Sequence, residues 1–156
     1  MKSKLSQSVL LVIVFIAFSF IQDAAAQNVP ENVKTSFTTM YPSITVKEWE
    51  FSKAKNWYKA AYKQNDTEYE AYFATDGKWV RTERDIKKAD LPQAVTTALA
   101  KTEYANWDID DVEEHQTPQN KTVYVVEVEK SSTELELYFL PDGTLLETKK
   151  KNSGIL

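Results

Sequence analysis

The sequence predicts an α+β protein of two tandem units, each a helix followed by a four-stranded antiparallel sheet, that share a core or a continuous sheet. Two observations predict this fold. Residues 28–33 match residues 90–95, and residues 68–73 match residues 134–139, each match followed later by an Asp-Gly pair at 76–77 or 142–143. Within each copy the apolar period also changes from that of a helix to that of a strand. The offset between copies grows from 62 to 66 residues, which places the extra residues around 116–121.

The first residues are typical of a secretory signal peptide, which we assign to 1–26. Lys2 and Lys4 provide the positive start, residues 9–21 form an apolar run, and small residues follow at 24–26. We expect cleavage between Ala26 and Gln27, export to the periplasm or outside the cell, and no membrane span after cleavage. Repeat 1 then covers 27–86, repeat 2 covers 87–150, and 151–156 form a frayed tail.

Each repeat is predicted to begin with a helix. Asn28 and Asp90 are suitable N-caps, with a Glu or Gln three residues later, and Pro42 ends the first helix because it disfavours helical geometry at Tyr41. Alternation then predicts strands, and Asp-Gly favours a tight hairpin. The predicted strands are 45–51, 57–63, 68–74 and 78–83 in repeat 1, and 109–114, 122–129, 134–140 and 144–148 in repeat 2.

The alternation also assigns the two faces of the sheet. One set is apolar in both copies and is expected to pack under the helices: Tyr58, Ala60, Tyr62, Tyr69, Ala71, Phe73, Tyr124, Val126, Val128, Leu135, Leu137 and Phe139. The opposite, open face is predicted to mix aromatic and acidic side chains: Trp57, Lys59, Glu68, Glu70, Tyr72, Val123, Val125, Glu127, Glu134, Glu136 and Tyr138.

Composition excludes several classes of function. Three well-separated glycines cannot form a phosphate-binding loop, the lack of cysteine excludes thiolate chemistry, and one histidine excludes multi-histidine metal sites. The formal net charge is −4, and it becomes −5 once residues 1–26 are removed. An acidic chain without a basic stripe is repelled by nucleic acid and anionic membranes. We therefore expect neither partner, and no cofactor.

Several short motifs resemble the PepSY-like family of exported bacterial proteins, also described as β-lactamase-inhibitor-protein-like. They are Tyr41-Pro42, the strand motif at 48–50, and the hairpins at 72–79 and 138–145; Val112 and residues 104–105 depart from the pattern in repeat 2. The resemblance covers each predicted repeat once. It implies that one face of the sheet binds a protein partner and that the protein is periplasmic or secreted. It does not imply that this chain inhibits a β-lactamase.

The open face supplies the candidate binding site, for an unknown protein or peptide of the cell envelope. We expect Trp57, Tyr72 and Tyr138 at its centre, with Trp49 or Trp79 at the margin, because large rings outside the core are typical of binding surfaces. The expected acidic rim, which favours a basic partner, is Glu68, Glu70, Glu134 and Glu136. The alternative is cross-strand aromatic pairing that only stabilises the sheet.

Catalytic and metal chemistry find little support in the sequence. Asp108, Asp110 and Asp111 are the candidate calcium ligands, but no glycine follows as in a calcium loop, so a solvated acidic strand end is the simpler interpretation. We expect His115 to be a surface or loop histidine. The predicted function is non-enzymatic binding or inhibition, and the alternative is a calcium-binding or stress-linked envelope protein.

Overall fold

A computed structural model of the protein describes residues 28–119 and 121–151. The elements, in chain order, are α1 (Glu31–Met40), β1 (Val46–Ser52), β2 (Trp57–Gln64), β3 (Thr67–Ala74), β4 (Trp79–Asp85), a 3₁₀ turn (Lys88–Asp90), α2 (Gln93–Leu99), β5 (Asp108–Gln116), β6 (Thr122–Lys130), β7 (Thr133–Phe139) and β8 (Leu145–Lys150). The predicted signal peptide, its cleavage site at Ala26 and Gln27, and residues 152–156 lie outside the described residues. No helix in the described part of the chain is long and apolar enough to cross a bilayer.

Within the described residues, eight strands form one antiparallel sheet in sequential order from β1 to β8. The two halves join where β4 pairs with β5, from Thr82 opposite Gln116 to Asp85 opposite Glu113. The predicted helix-containing antiparallel fold with a continuous sheet is therefore confirmed, and each strand begins and ends within about two residues of its predicted bounds. The acidic segment from Asp108 is a strand, as expected.

Both helices begin differently from the prediction. Neither Asn28 nor Asp90 is the N-cap, because α1 and α2 are capped by Pro30 and Pro92, and no side chain bonds to either helix start. Each proline instead has an extended ψ near 140° and presents its carbonyl to the first turn of the helix. A proline carbonyl can accept these bonds while its fixed φ directs the chain into the helix. As predicted, α1 ends before Pro42.

The helices cover one face of the sheet. Val33 and Phe37 of α1 pack on β2 and β3, and Val95 and Leu99 of α2 pack on β6 and β7. The residues at 0% exposure beneath them include Ala60, Ala71, Phe73, Val126, Val128, Leu137 and Phe139, all in the predicted apolar set. The helix-facing side continues from one half of the sheet to the other. Thr82 and Arg84 of β4 lie on this side, and their pairing partners in β5, Gln116 and Glu114, lie on it as well.

The two Asp-Gly hairpins have the same geometry and lie against the helices. Gly77 and Gly143 have φ of +86° and +88°, which an L residue rarely adopts. The preceding aspartates each accept a hydrogen bond from the backbone N–H two residues on, at 3.1 and 2.9 Å. A Cβ on Gly77 would lie 3.1 Å from the carbonyl oxygen of Asn32, and one on Gly143 would lie 2.5 Å from that of Ala94. Each turn is therefore packed against the first turns of a helix.

The end of the sheet is more ordered than the sequence suggested. Strand β8 continues to Lys150, and the backbone N–H of Lys151 donates to the carbonyl of Glu134 at 3.0 Å. The Lys151 ammonium contacts both carboxylate oxygens of Glu127, at 2.5 and 2.6 Å. Lys151, the first residue of the predicted tail, is therefore bonded to both β6 and β7, and it is the cationic partner of Glu127, which is only 9% exposed.

Candidate binding face

The open face of the sheet carries the three aromatic residues expected at its centre. Trp57 in β2 lies 5.3 Å from Tyr72 in β3, measured between ring centroids, with the planes at 62°. Tyr138 in β7 lies on the same face and contacts His115 of β5, with 6.3 Å between ring centroids. The structure thus distributes these rings over both halves of the sheet, on the side opposite the helices.

Trp49 and Trp79 do not lie on this face, so their expected place at its margin is wrong. Trp49 pairs with Ala60 and packs against Phe37 and Phe73, which places it in the core under α1. Trp79 packs on the same core cluster, and its indole N–H donates to the Thr82 hydroxyl at 3.0 Å.

A β-bulge explains the position of Trp79. Tyr72 pairs with Arg81, but the next residue, Phe73, pairs with Trp79, so Val80 is the extra residue in β4. Simple alternation would place residues 79 and 81 on one face, and a bulge reverses it. A second bulge in β8 makes Leu146 the corresponding extra residue, because Tyr138 pairs with Glu147 and Phe139 with Leu145.

Tyr72 is buried, at 7% exposure, which corrects the expectation of a large ring left in water. Its hydroxyl lies within hydrogen-bonding distance of the carboxylates of Glu70, at 2.6 Å, and Glu83, and can donate its single proton to either. Burial and these two carboxylates raise the pKa of Tyr72 well above its ordinary value. The phenol is therefore a fixed hydrogen-bond donor within the sheet.

Arg81 covers both rings of this half of the face. Its guanidinium carbon lies 4.0 Å from the centroid of Tyr72 and 5.0 Å from that of Trp57, within the range of cation–π contacts. Its Nε donates to Glu83 at 2.6 Å. Among the described residues its two terminal nitrogens have no hydrogen-bond partner, and no described side-chain polar atom is buried without one. The terminal nitrogens of Arg81 are therefore accessible from the open face.

His115 is the second-last residue of β5 and is buried, at 6% exposure, so its expected position on the surface or in a loop is wrong. Its Nε2 lies 2.6 Å from Glu113 and 3.4 Å from Glu83. The hydrogen bond with His115 lowers the pKa of Glu113 below its ordinary value, although burial of Glu113 opposes this shift. His115 thereby joins the two halves of the sheet across the β4–β5 pair.

A cleft of about 520 Å³ lies between Trp57 and Tyr138 on the open face. Above Tyr138, the Lys149 ammonium lies 4.4 Å from the ring centroid and 2.8 Å from Glu147. The extra residues of the two bulges, Val80 and Leu146, both line the cleft. The described residues that line it are Lys55, Trp57, Val80, Arg81, His115, Thr117, Val123, Glu136, Tyr138, Leu146, Glu147 and Lys149.

Two of the four carboxylates of the expected acidic rim have cationic partners within the chain. Glu68 pairs with Lys47 at 2.5 Å, and Glu70 pairs with Lys59 at 2.9 Å. Glu136 accepts a hydrogen bond from the Tyr138 hydroxyl at 2.6 Å. The remaining member, Glu134, is half-buried in β7 opposite Glu129. Glu68 and Glu70 thus pair with lysines of the sheet, whereas Glu134 has no cationic partner among the described residues.

A separate acidic cluster lies beside the β4–β5 pair. Carboxylate oxygens of Asp85, Asp111 and Glu113 all lie within 4.8 Å of one another, as do ligand atoms of a second set, Glu83, Glu113 and His115. Partial burial and the charges of Asp111 and Glu113 raise the pKa of Asp85. Of the candidate calcium ligands, only Asp111 belongs to this cluster, and Asp108 and Asp110 lie outside it.

Sequence reasoning missed the residues that connect the site: Arg81, Glu83, Glu113 and His115. One signal was available, since residues 81, 83 and 85 of β4 alternate in the register of the open face. Their interactions depend on the β3–β4 and β4–β5 pairings, which the local pattern does not contain.

Fold and site together define a class of α+β protein in which one antiparallel sheet has helices on one face and a charged, aromatic cleft on the other. The chain belongs to the family described as "Putative beta-lactamase-inhibitor-like, PepSY-like", whose match covers residues 56–147. No functionally curated protein matches the sequence.

Several solved structures are similar. A BLIP-like protein from Bacteroides fragilis has 30% identity and a TM-score of 0.69, over 85% of this chain and 94% of the other. A DUF2874 family protein from Bacteroides ovatus has 28% identity and a TM-score of 0.68, over 78% and 86%. A protein from Bacteroides eggerthii, described as "putative periplasmic", shares the fold with 24% identity and a TM-score of 0.65, over 78% and 88%.

Proposed function

We propose that this protein is a non-enzymatic, exported binding or inhibitor-like protein that uses the open face of its sheet to bind a protein or peptide in the cell envelope. The observation that carries the proposal is the cleft of about 520 Å³ between Trp57 and Tyr138, on the face without helices. Aromatic residues and arginine are the side chains most enriched among binding hot spots.

The fixed conformation of side chains on the open face supports a binding role. Arg81 is held by Glu83 and by two rings, and Tyr72 by two carboxylates, so their conformational entropy is already lost before a partner arrives. A surface fixed in this way loses little further entropy on binding. Trp57 and Tyr138 remain half-buried and present apolar area at the two ends of the cleft.

The chemistry of the cleft favours binding over catalysis. No serine is among its described lining residues, the Thr117 hydroxyl donates to the Lys121 carbonyl at 3.2 Å, and the chain contains no cysteine. The imidazole of His115 faces Glu113 and Glu83 rather than a nucleophile. Activation of a nucleophile requires a base within hydrogen-bonding distance of it.

Export is part of the proposal and rests on residues 1–26 together with the similar structure described as "putative periplasmic". Mass spectrometry of protein purified from the envelope should find Gln27 at the N-terminus. An intact Met1 in that fraction would overturn the assignment of the cleavage site at Ala26.

We also propose the two-unit organisation, with residues 27–86 and 87–150 each contributing one helix and four strands. Separate core clusters under α1 and α2, and matching contacts of Gly77 and Gly143 with their helices, support it. Mixing the two fragments should restore the near-ultraviolet circular dichroism of the intact chain. Fragments that remain unable to associate would contradict this division.

The binding proposal is tested by comparing neighbouring residues on opposite faces. Trp57→Ala and Tyr58→Ala remove half-buried rings from adjacent positions of β2, of which only Trp57 lies in the cleft. With immobilised protein and an envelope extract, we expect Trp57→Ala to lose a specific partner that Tyr58→Ala retains. If both variants keep their fold and the same captured proteins, the open face is not the binding surface.

A cation-binding role is the second candidate, favoured by the cluster of Asp85, Asp111 and Glu113. A bound cation would relieve the repulsion that raises the pKa of Asp85. Calorimetric titration with calcium should show heat that Asp111→Asn abolishes and Asp108→Asn leaves unchanged. Absence of heat in the wild-type protein would remove this candidate.

A further inference from the structure

Three cationic side chains line the cleft between Trp57 and Tyr138, and two of them, Arg81 and Lys149, are paired with Glu83 and Glu147. Lys55 lies 5.9 Å from the ring centroid of Trp57, Arg81 lies 5.0 Å from the same ring, and Lys149 lies over Tyr138. This cluster of cations beside aromatic rings lies in a chain whose formal net charge is −4. It contrasts with the acidic partner-binding rim expected from the sequence.

The two carboxylates that line the same cleft both make contacts within the chain, but among the described residues only Glu147 has a cationic partner. Glu147 is paired with Lys149, and Glu136 accepts the hydrogen bond of the Tyr138 hydroxyl. The exposed ammonium of Lys55 and the terminal nitrogens of Arg81 have no carboxylate partner among the described residues. The ammonium of Lys55 and the terminal nitrogens of Arg81 are therefore cationic hydrogen-bond donors that a partner can use.

We infer that the cleft binds an acidic peptide segment, with a partner carboxylate on the terminal nitrogens of Arg81 and apolar partner side chains against Trp57 and Leu146. This inference rests on the proposed function and specifies the partner's chemistry. Arginine suits this role because its planar fork bonds to a carboxylate at two points. Its Nε bond to Glu83 fixes the direction of the fork without occupying its outer nitrogens.

Leu146 completes the complementarity. It is 50% exposed and occupies the bulge of β8, while Val80 occupies the bulge of β4, so both apolar side chains line the cleft. An acidic segment with alternating apolar residues would place carboxylates against the cations of the cleft and apolar side chains against its apolar surface. A basic segment would place its cations against Lys55, Arg81 and Lys149, which electrostatic complementarity disfavours.

The experiment is a selection of short random peptides displayed on phage, with the wild-type chain as bait. We expect enrichment of aspartate and glutamate next to apolar residues. A selected peptide, synthesised with a fluorophore, should bind about tenfold more weakly to Lys55→Gln/Lys149→Gln, and its binding should weaken as salt is added. Both lysines are exposed, so this variant is expected to fold.

Two matched controls isolate the cleft. Lys53→Gln/Lys150→Gln removes the same charge from exposed positions outside the cleft lining and should leave the dissociation constant unchanged. Arg84→Gln should also have no effect, since Arg84 pairs with Glu114 on the other face, whereas Arg81→Gln should abolish binding.

The outcomes separate this inference from the proposed function. Selected peptides that are basic or uncharged, but still require Trp57, would overturn the acidic partner and leave the binding face in place. Peptides whose binding is indifferent to Trp57→Ala, or a selection that enriches none, would overturn both.

Discussion

The guanidinium of Arg81 lies 4.0 Å from the ring centroid of Tyr72, its cross-strand partner. The same contact buries Tyr72 and leaves the outer nitrogens of Arg81 accessible. The pair therefore stabilises the sheet and also offers hydrogen-bond donors to a partner. Replacing Tyr72 by alanine would therefore disturb folding and binding together, and more conservative variants are needed to separate the two roles.

The first prediction separates the two tyrosines of the open face. Tyr72→Phe removes a hydroxyl placed between two carboxylates and is expected to cost about 1–3 kcal/mol in the free energy of unfolding. Tyr138→Phe removes a hydroxyl that bonds to Glu136 alone and should cost about 1 kcal/mol or less. Urea denaturation measures both. Equal losses would mean that the second carboxylate at Tyr72 contributes nothing.

The second prediction concerns the two cores. Phe73→Ala and Phe139→Ala each remove a ring at 0% exposure and should each cost about 3–5 kcal/mol. Leu145→Ala, at 38% exposure, is the control and should change stability by less than about 0.5 kcal/mol. An unchanged denaturation midpoint for either phenylalanine variant would contradict the assignment of the helix-facing side.

The third prediction concerns the hairpin glycines. Gly143→Ala should destabilise the protein more than Gly77→Ala, because its Cβ would lie 2.5 Å from a helix carbonyl rather than 3.1 Å. Both also place a Cβ at positive φ, a strain of about 1–3 kcal/mol. Asn56→Gly, at a positive φ that glycine adopts freely, is the control and should not lower the melting temperature. A larger loss for Gly77→Ala would show that the α2 side of the fold relaxes more easily.

The fourth prediction is a pH dependence with opposite signs at two aspartates. Partial burial and neighbouring carboxylates raise the pKa of Asp85 in the folded state, so its charge destabilises the fold at neutral pH. Asp85→Asn should therefore raise the melting temperature at pH 7, and the gain should disappear as the pH falls below the ordinary aspartate pKa of about 4.

Asp142 provides the opposite case. The backbone N–H of Thr144 lowers the pKa of Asp142, so its charge adds stability above the ordinary pKa, and this stability is lost as the pH falls through the lowered value. Asp142→Asn should lower the melting temperature at pH 7 and have little effect at low pH. A lower melting temperature for Asp85→Asn at pH 7 would refute the electrostatic account of Asp85, and a higher one for Asp142→Asn would refute that of Asp142.

Local patterns determined much of this protein. The alternation of Tyr69, Ala71 and Phe73, and of Leu135, Leu137 and Phe139, was sufficient to assign the helix-facing side, because side chains along a strand alternate with a period of two. Pro42 and the Asp-Gly pairs likewise marked a helix end and two hairpins, since their backbone restrictions act within a few residues.

Tertiary structure decided the site. A bulge at Val80 of β4, opposite Tyr72 and Phe73, moved Trp79 into the core and Val80 to the cleft, and no local pattern specifies where a strand pair admits an extra residue. The pairing of β4 with β5 buried His115 between Glu83 and Glu113, far apart in sequence from each other. Burial, ion pairs and stacking depend on which strands become neighbours, and that choice belongs to the packing of the whole sheet.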